Sequence, residues 1–388
     1  MKLPEVNYLI TNMLESYERI SDLNFTVGKP LQVETAGQLV PIAVRPELKE
    51  LTPFQTEVAA LNLIQENKRL LDDLAIHGSC DLSHALGNKA RFRVNIFTQQ
   101  GHLSIAMRKM EGTIPTIHSL NLPQIFNKMT REINGFILVT GATGTGKSTT
   151  LAALCDKINK EKMVHVVTLE DPIEFVHPHK NCTFNQRELG NDFDTFANGL
   201  RAALRQAPKV ILVGEMRDRE TMEIGLAAAE TGHLVMSTLH TVDAGQTINR
   251  ILGFFDQEEQ PQIRNRLTDT IRYVVCQRLL PKEGGDRVAA FEIMANNLRV
   301  RDLIINGETE DRTYYDVIED GSALGMQTFD QHILELYEQG LISEETAKIY
   351  GSRKSAIGRG LDRIKAARGE STTGITGLAM KKKDDFRD

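Results

Sequence analysis

The spacing of apolar residues changes several times along this chain. Near the amino terminus Val6, Leu9, Ile10, Met13, Leu14 and Tyr17 recur at helical intervals, which predicts an amphipathic helix. Leu31–Val40 reads as two short strands around a turn containing Gly37. Arg91–Phe97 and His102–Arg108 alternate apolar with polar and predict a further strand pair. These features make residues 1–110 a small α+β domain. Gly112, Pro115 and Pro123 mark 111–123 as a linker. Beyond it the rhythm becomes short, mainly apolar runs of four to six residues separated by helical stretches. The runs are Phe136–Val139, Val164–Leu169, Val210–Val213 and Leu234–Leu239. Such runs predict parallel strands covered on both faces, so 124–350 reads as an α/β domain with a parallel-rich sheet.

The last segment, 351–388, differs again. It carries ten basic side chains against five acidic ones in a chain of net charge -6. Ile357, Leu361 and Ile364 share a helical face there, and 369–378 is rich in Gly, Ser and Thr. Two readings are open for this segment: a solvated basic helix with a mobile end, or a docking element for an acidic partner or an anionic membrane surface.

Bulk composition adds limits. A length of 388 residues suits two or three domains, and 41% hydrophobic with 25% charged residues is ordinary for a globular protein. The acidic balance argues against a general nucleic-acid binder, so no nucleic-acid partner is expected. No apolar run reaches the roughly 18 residues of a membrane-spanning helix. The amino terminus lacks the layout of a secretory signal. Cys80, Cys155, Cys182 and Cys276 are scattered without a Cys-x-x-Cys pair, which gives neither a zinc site nor a disulfide framework. That usage fits a reducing cytoplasm.

The sharpest chemical signal is Gly141-Ala-Thr-Gly-Thr-Gly-Lys-Ser148, a complete G-x-x-x-x-G-K-[ST] pattern between a predicted strand and a helical stretch from Thr149 to Cys155. Gly141, Gly144 and Gly146 let successive N–H groups turn inward, with Ala142, Thr143 and Thr145 between them. Lys147 is expected on the β- and γ-phosphates of ATP, Ser148 on Mg²⁺, and Thr149 in the first helical turn. Three further polar clusters end the apolar runs: Glu170-Asp171-Pro172-Ile173-Glu174, Gly214-Glu215-Met216-Arg217-Asp218 and His240-Thr241. Open parallel sheets place ligands beyond the carboxyl ends of their strands, so these clusters are expected near the phosphate loop.

Hydrolysis of ATP needs a water aimed at the γ-phosphorus and stabilisation of charge on the phosphate oxygens. Glu174 is the expected base. Glu215 is expected to hold Mg²⁺ through a water or to share in positioning the nucleophile. Glu170 and Asp171 bind Mg²⁺-bound waters or order the loop. His240 senses the γ-phosphate or caps a turn. A second cation to match Lys147 is sought in Arg91, Arg93 or Arg108 of the first domain, as a finger from another domain or subunit. Arg201 and Arg205, spaced i, i+4, read as a surface pair on one helix.

Together these motifs resemble those of the secretion-superfamily ATPases and, within them, the type IV pilus retraction ATPases of the PilT/PilU family. Thr168–Phe175 resembles the family's Asp box, followed by Asn185-Gln-Arg-Glu-Leu-Gly190. Val213–Asp218 resembles its atypical Walker B segment, with Gly214 where an aspartate is usual. Ala229–Leu234 and Ser237–Thr241, which resembles the His box, complete the set, and Ser21-Asp-Leu-Asn-Phe25 resembles an amino-terminal family motif. The likeness covers about residues 1–350. It implies a PAS-like first domain, a RecA-like P-loop ATPase domain and a homo-hexameric ring. The expected place is cytoplasmic, at the cytoplasmic face of the inner membrane, with an inner-membrane pilus platform protein as partner. The absence of Cys-x-x-Cys pairs and of a longer amino-terminal region favours retraction over assembly.

Arg205–Pro208, Arg219–Met222 and Gly325–Asp330 are PilU-like, and a PilT motif survives only in altered form as Arg299-Val-Arg-Asp-Leu-Ile304. The resemblance therefore implies two functions: a motor that hydrolyses ATP to drive pilus retraction and twitching, or an accessory nucleotide-binding ring, mixed or stacked with a paralogous retraction ATPase. A DNA translocase is the third reading, and it lacks a basic strip interleaved with aromatics.

Overall fold

The computed structural model describes residues 2–45, 48–87, 89–110 and 112–370. The expectations placed on 371–388, including Lys381, Lys382, Lys383 and Arg387, lie outside the described residues.

Thirteen strands occur among the described residues. They are β1 Asp22–Phe25, β2 Gln32–Thr35, β3 Gln38–Pro41, β4 Ser79–Leu86, β5 Ala90–Gln99, β6 His102–Lys109, β7 Gly135–Thr140, β8 His165–Glu170, β9 Thr183–Glu188, β10 Val210–Val213, β11 Leu234–Leu239, β12 Ile271–Pro281 and β13 Arg287–Ala295. By internal packing the chain groups into two compact units. One runs from the amino terminus to Ser119 and includes Thr130–Asn134 and Ser148–Ser237. The other holds Leu120–Met129, Gly135–Lys147 and the chain from Thr238 onward.

The first unit opens with a six-stranded antiparallel sheet in the order β3-β2-β1-β6-β5-β4. Its alternation sends Phe92, Val94 and Ile96 of β5 into a core shared with Val6, Ile10, Met13, Ala60 and Ile64 of the helices Leu3–Glu15 and Pro53–Ile64. The odd-numbered residues of β5, among them Arg91 and Arg93, therefore lie on the opposite face. The first helix ends at Glu15, so Tyr17, which the spacing places within it, falls outside and is exposed.

The same unit holds a parallel set in which β10 pairs with β11 and β8, and β8 with β9. β10 is buried at all four positions, as its unbroken Val-Ile-Leu-Val sequence requires. β8 begins at His165 and ends at Glu170, because its ladder with β9 continues to the Glu170–Glu188 pair. β9 has polar residues at most positions, and hydrophobic patterning does not reveal it. The helix Phe196–Leu204 carries Arg201, whereas Arg205 is its C-cap. Arg201 pairs at 2.5 Å with Glu220 instead of forming a patch with Arg205.

In the second unit the wholly buried β7 runs parallel to β12, and β12 and β13 form an antiparallel pair. The helix Lys354–Ala367 buries Ile357 and Leu361, with Ile364 half-buried. Of its basic side chains Lys365 pairs with Glu344 at 2.5 Å, and Arg368 at the C-cap donates from Nη2 to the carbonyls of Tyr337 and Glu338. Arg353, at its N-cap, pairs with Asp316. All four cysteines are free and buried. Among the described residues no helix is long and apolar enough to cross a membrane.

Candidate nucleotide site

The phosphate loop leaves β7 at Thr140. Gly141 stands at φ +147°, and a Cβ there would lie 2.5 Å from the carbonyl oxygen of Gln277. Only glycine fits that combination of dihedral and contact. The Gly141 N–H donates to the carbonyl of Leu239, the last residue of β11, so the loop begins beside the strand end that leads into His240. His240 itself is exposed.

The loop then folds on itself. Thr145 Oγ1 donates to the Ala142 carbonyl at 2.9 Å. Lys147 is buried, and its ammonium donates to the carbonyls of Gly141 at 2.9 Å and Ala142 at 3.0 Å. Ala142, Thr143 and Gly144 form an exposed crown. The helix Lys147–Glu161 starts on the lysine, with Ser148 exposed and Thr149 half-buried in its first turn. One brace comes from outside the motif. Gln277 Nε2, on β12, donates to the Thr145 carbonyl at 2.7 Å. Nothing in the local sequence pattern marks Gln277 for this role.

The acidic clusters lie in the first unit, at the ends of β8 and β10. Glu170 closes β8. It accepts from Thr168 Oγ1 at 2.6 Å, from Gln186 Nε2 at 3.0 Å and from the backbone N–H of Glu174. Burial raises its pKa in spite of these donors. The peptide bond between Asp171 and Pro172 is cis. Loss of hydration raises the Asp171 pKa; Arg93 and Arg217 oppose the rise, and Glu215 adds to it. Those charges form one electrostatic group. Glu215 accepts from Arg217 Nε at 2.6 Å. Glu174 is exposed just beyond the cluster.

Gly214 has a packing reason. A Cβ on it would come within 3.1 Å of the Leu169 carbonyl oxygen, which also accepts from the Gly214 N–H at 2.7 Å. The exit of β10 is thus pressed against the exit of β8, and an aspartate would not fit there without moving one of them.

The three first-domain arginines have different settings. Arg93 and Arg108 face one another across the β5–β6 ladder, and both are exposed. Arg108 pairs with Asp22 at 2.9 Å. Arg91 is less exposed; its Nη2 bonds to Glu188 at 2.5 Å and to Ser83 Oγ at 2.8 Å. Glu188 is buried; it lies in the Asn185–Gly190 segment, to which the sequence assigns no role.

Comparison with known proteins places this arrangement. The family model for the type II/IV secretion system protein matches residues 31–355. The type IV pilus retraction ATPase PilT of Pseudomonas aeruginosa is 40% identical over 328 residues, covering 84% of this chain and 93% of its own. The type IV pilus ATPase PilU of the same organism is 39% identical over 328 residues, 84% of each chain. Among solved structures, the pilus retraction motor PilT with bound ADP matches with a TM-score of 0.81 at 38% identity, over 92% of this chain and 99% of that one. The ATPase DotB of Legionella pneumophila matches with a TM-score of 0.76 at 30% identity, over 88% and 95%. The amino-terminal α+β domain and the RecA-like ATPase domain that follows it are therefore those of a shared fold. With its nucleotide loop intact and its likeness extending over most of its length, the chain belongs to the type II/IV secretion system protein family, as an ATP-hydrolysing motor ATPase akin to PilT and PilU.

Proposed function

We propose that this chain is a ring-forming motor that hydrolyses ATP to drive retraction of a type IV pilus. The carrying observation is 40% identity to PilT over 84% of the chain together with an intact phosphate loop. The loop's geometry supports nucleotide binding. Lys147 already rests on two carbonyls at the loop, and phosphate oxygens of ATP would replace them as acceptors. Among the described residues no three His, Cys, Asp or Glu side chains form a metal cage. Ser148, exposed in the first turn of the helix after the loop, would hold Mg²⁺ brought with the phosphates, and the ion's charge would help to neutralise the phosphate oxygens.

Glu174 orients the attacking water and accepts its proton. Glu215, fixed by Arg217, supports it or the metal's waters, and His240 reads the γ-phosphate. Arg93 and Arg108 are the arginines with exposed side chains that a hexameric neighbour's nucleotide could use. In this reading the ring works at the cytoplasmic face of the inner membrane on a pilus platform protein. Removal of the γ-phosphate contact then frees the first domain to rotate.

A second reading is favoured by the near-equal identity to PilU. There the ring is an accessory that acts with a paralogous retraction ATPase. Phosphate release by the wild type and by Glu174→Gln separates the two. The motor reading expects the variant to lose about 10²–10⁴-fold in kcat. Equally low rates in both proteins, with pili that retract only when the paralog is present, would favour the accessory ring.

A further inference from the structure

The segment Asn185-Gln-Arg-Glu-Leu-Gly190 has no role in the scheme above, although Asn185–Glu188 lie in β9, directly beside the strand that leads to Glu174. Successive inward residues of β9 all engage the loop from Glu170 to His177. Phe184 stacks on the His177 ring with centroids 4.7 Å apart. Gln186 makes three contacts: its Nε2 donates to Glu170 at 3.0 Å and to the Phe175 carbonyl at 2.8 Å, and its Oε1 accepts from the His177 N–H at 2.7 Å. Glu188 Oε2 accepts from the Ile173 N–H at 3.1 Å. The period of two in a strand puts the three side chains on one face. Together they hold the backbone on both sides of Glu174.

Glu188 also faces the amino-terminal sheet. Its carboxylate accepts from Arg91 Nη2 at 2.5 Å, from Ser83 Oγ at 2.6 Å and from Asn191 Nδ2 at 2.7 Å. One buried carboxylate therefore bonds both to Arg91 of β5 and to the peptide next to Glu174. A buried carboxylate stripped of its cation is strongly unfavourable, so the Arg91 contact and the Ile173 contact are energetically tied.

We propose that β9 is a positioning clamp for Glu174, and that Arg91 acts on turnover through Glu188 rather than as an arginine finger. The clamp rests on the assignment of Glu174 as the base. Movement of the first-domain sheet that pulls Arg91 away would loosen the Ile173–Glu174 backbone, and a reacting group displaced by about 1 Å loses on the order of 10²-fold in rate. Gln186, Glu188 and Arg91 are positioning residues: none is assigned a contact with substrate.

The test uses the full chain in the assembly it forms, with phosphate release at saturating MgATP, binding of a fluorescent ATP analogue and Tm measured together. Glu188→Gln and, separately, Gln186→Ala are expected to lower kcat by about ten- to a hundredfold, with analogue affinity near that of the wild type. The variant pair Arg91→Gln and Glu188→Gln forms a cycle. If Arg91 works through Glu188, the double variant is no slower than the worse single one. Multiplied losses would make Arg91 an independent contributor and overturn its part of the proposal. Unchanged kcat in both β9 variants, or kcat losses that track a collapsed Tm in both, would overturn the clamp. Glu174→Gln is the separate arm. If it turns over normally, the base assignment fails and the clamp falls with it. If it is inactive while the β9 variants are active, the clamp alone fails.

Discussion

The phosphate loop and the Asp171–Glu174 segment are held in opposite ways. The loop bonds mainly to itself: Lys147 to Gly141 and Ala142, and Thr145 to Ala142. From outside, Gln277 of β12 and the Leu239 carbonyl brace it. The acidic segment is fixed by side chains from another strand, Phe184, Gln186 and Glu188, and through Glu188 by a sheet much earlier in the chain. A self-bonded loop can be moved as a unit without losing its shape. A segment held from outside takes its position from its neighbours. With Glu174 as the proposed base, the acidic segment is where movement of its neighbours would alter turnover, while the self-bonded loop would keep its shape.

Four substitutions or conditions would break or sharpen this contrast. The largest effect is expected for Gly141→Ala. The new Cβ meets the Gln277 carbonyl at 2.5 Å, and the φ of +147° is one that alanine resists. Strain of about 1–3 kcal/mol should reduce binding of an ATP analogue by about 5- to 150-fold, read by fluorescence titration. Undiminished binding would show that the loop tolerates distortion. Gly214→Ala tests the other region. Its Cβ lies 3.1 Å from the Leu169 carbonyl, so the backbone must give by a few tenths of an ångström. A cost of about 1–3 kcal/mol should appear as a lowered Tm and a reduced kcat, with ATP binding retained. If binding fell instead, the two regions would not be separable.

Gln277→Ala removes a side-chain brace of the loop. One hydrogen bond is worth about 0.5–1.5 kcal/mol, so KM for ATP should rise severalfold with kcat little changed. A fall in kcat alone would move Gln277 out of the binding role. The smallest effect is a pH dependence. Burial pushes the Glu292 carboxyl up to about 7; Asp243 and Asp330 add to the rise, while Arg278 and the Ala244 N–H, bonded at 2.9 Å, oppose it. A carboxyl whose pKa is raised by folding favours the folded state below its ordinary pKa near 4.5. That contribution is lost as pH rises toward 7. The Tm of the wild type should therefore fall between pH 6 and 8 by more than that of Glu292→Gln, in thermal scans. Parallel slopes would remove Glu292 as the cause.

Legibility in the sequence follows the same division. Gly141–Ser148 could be read directly, because its glycines and lysine bond within eight residues. The strands β7, β8, β10 and β11 were visible as apolar runs, since strands covered on both faces have no polar side to show. β9 was not visible: it must bury Phe184 while presenting Gln186 and Glu188 to polar partners, and its pattern looks like that of a loop. Gln277 was hidden for a related reason. Its role comes from the register of β12 beside β7, which pairs Cys276 with Thr140, and no neighbour in sequence reports that pairing.

The sequence by itself determined the phosphate loop, the acidic and histidine clusters at strand ends, the alternation that makes an α+β domain precede an α/β one, and the family. These depend on bonds and periodicities that close within a few residues. Tertiary structure alone decided that Glu188 binds Arg91 and Ile173 at once, that Gly214 is glycine because β8 passes within contact, and that Gln277 steadies the loop. Each of these depends on two distant segments meeting at a defined register, a property that no local pattern carries.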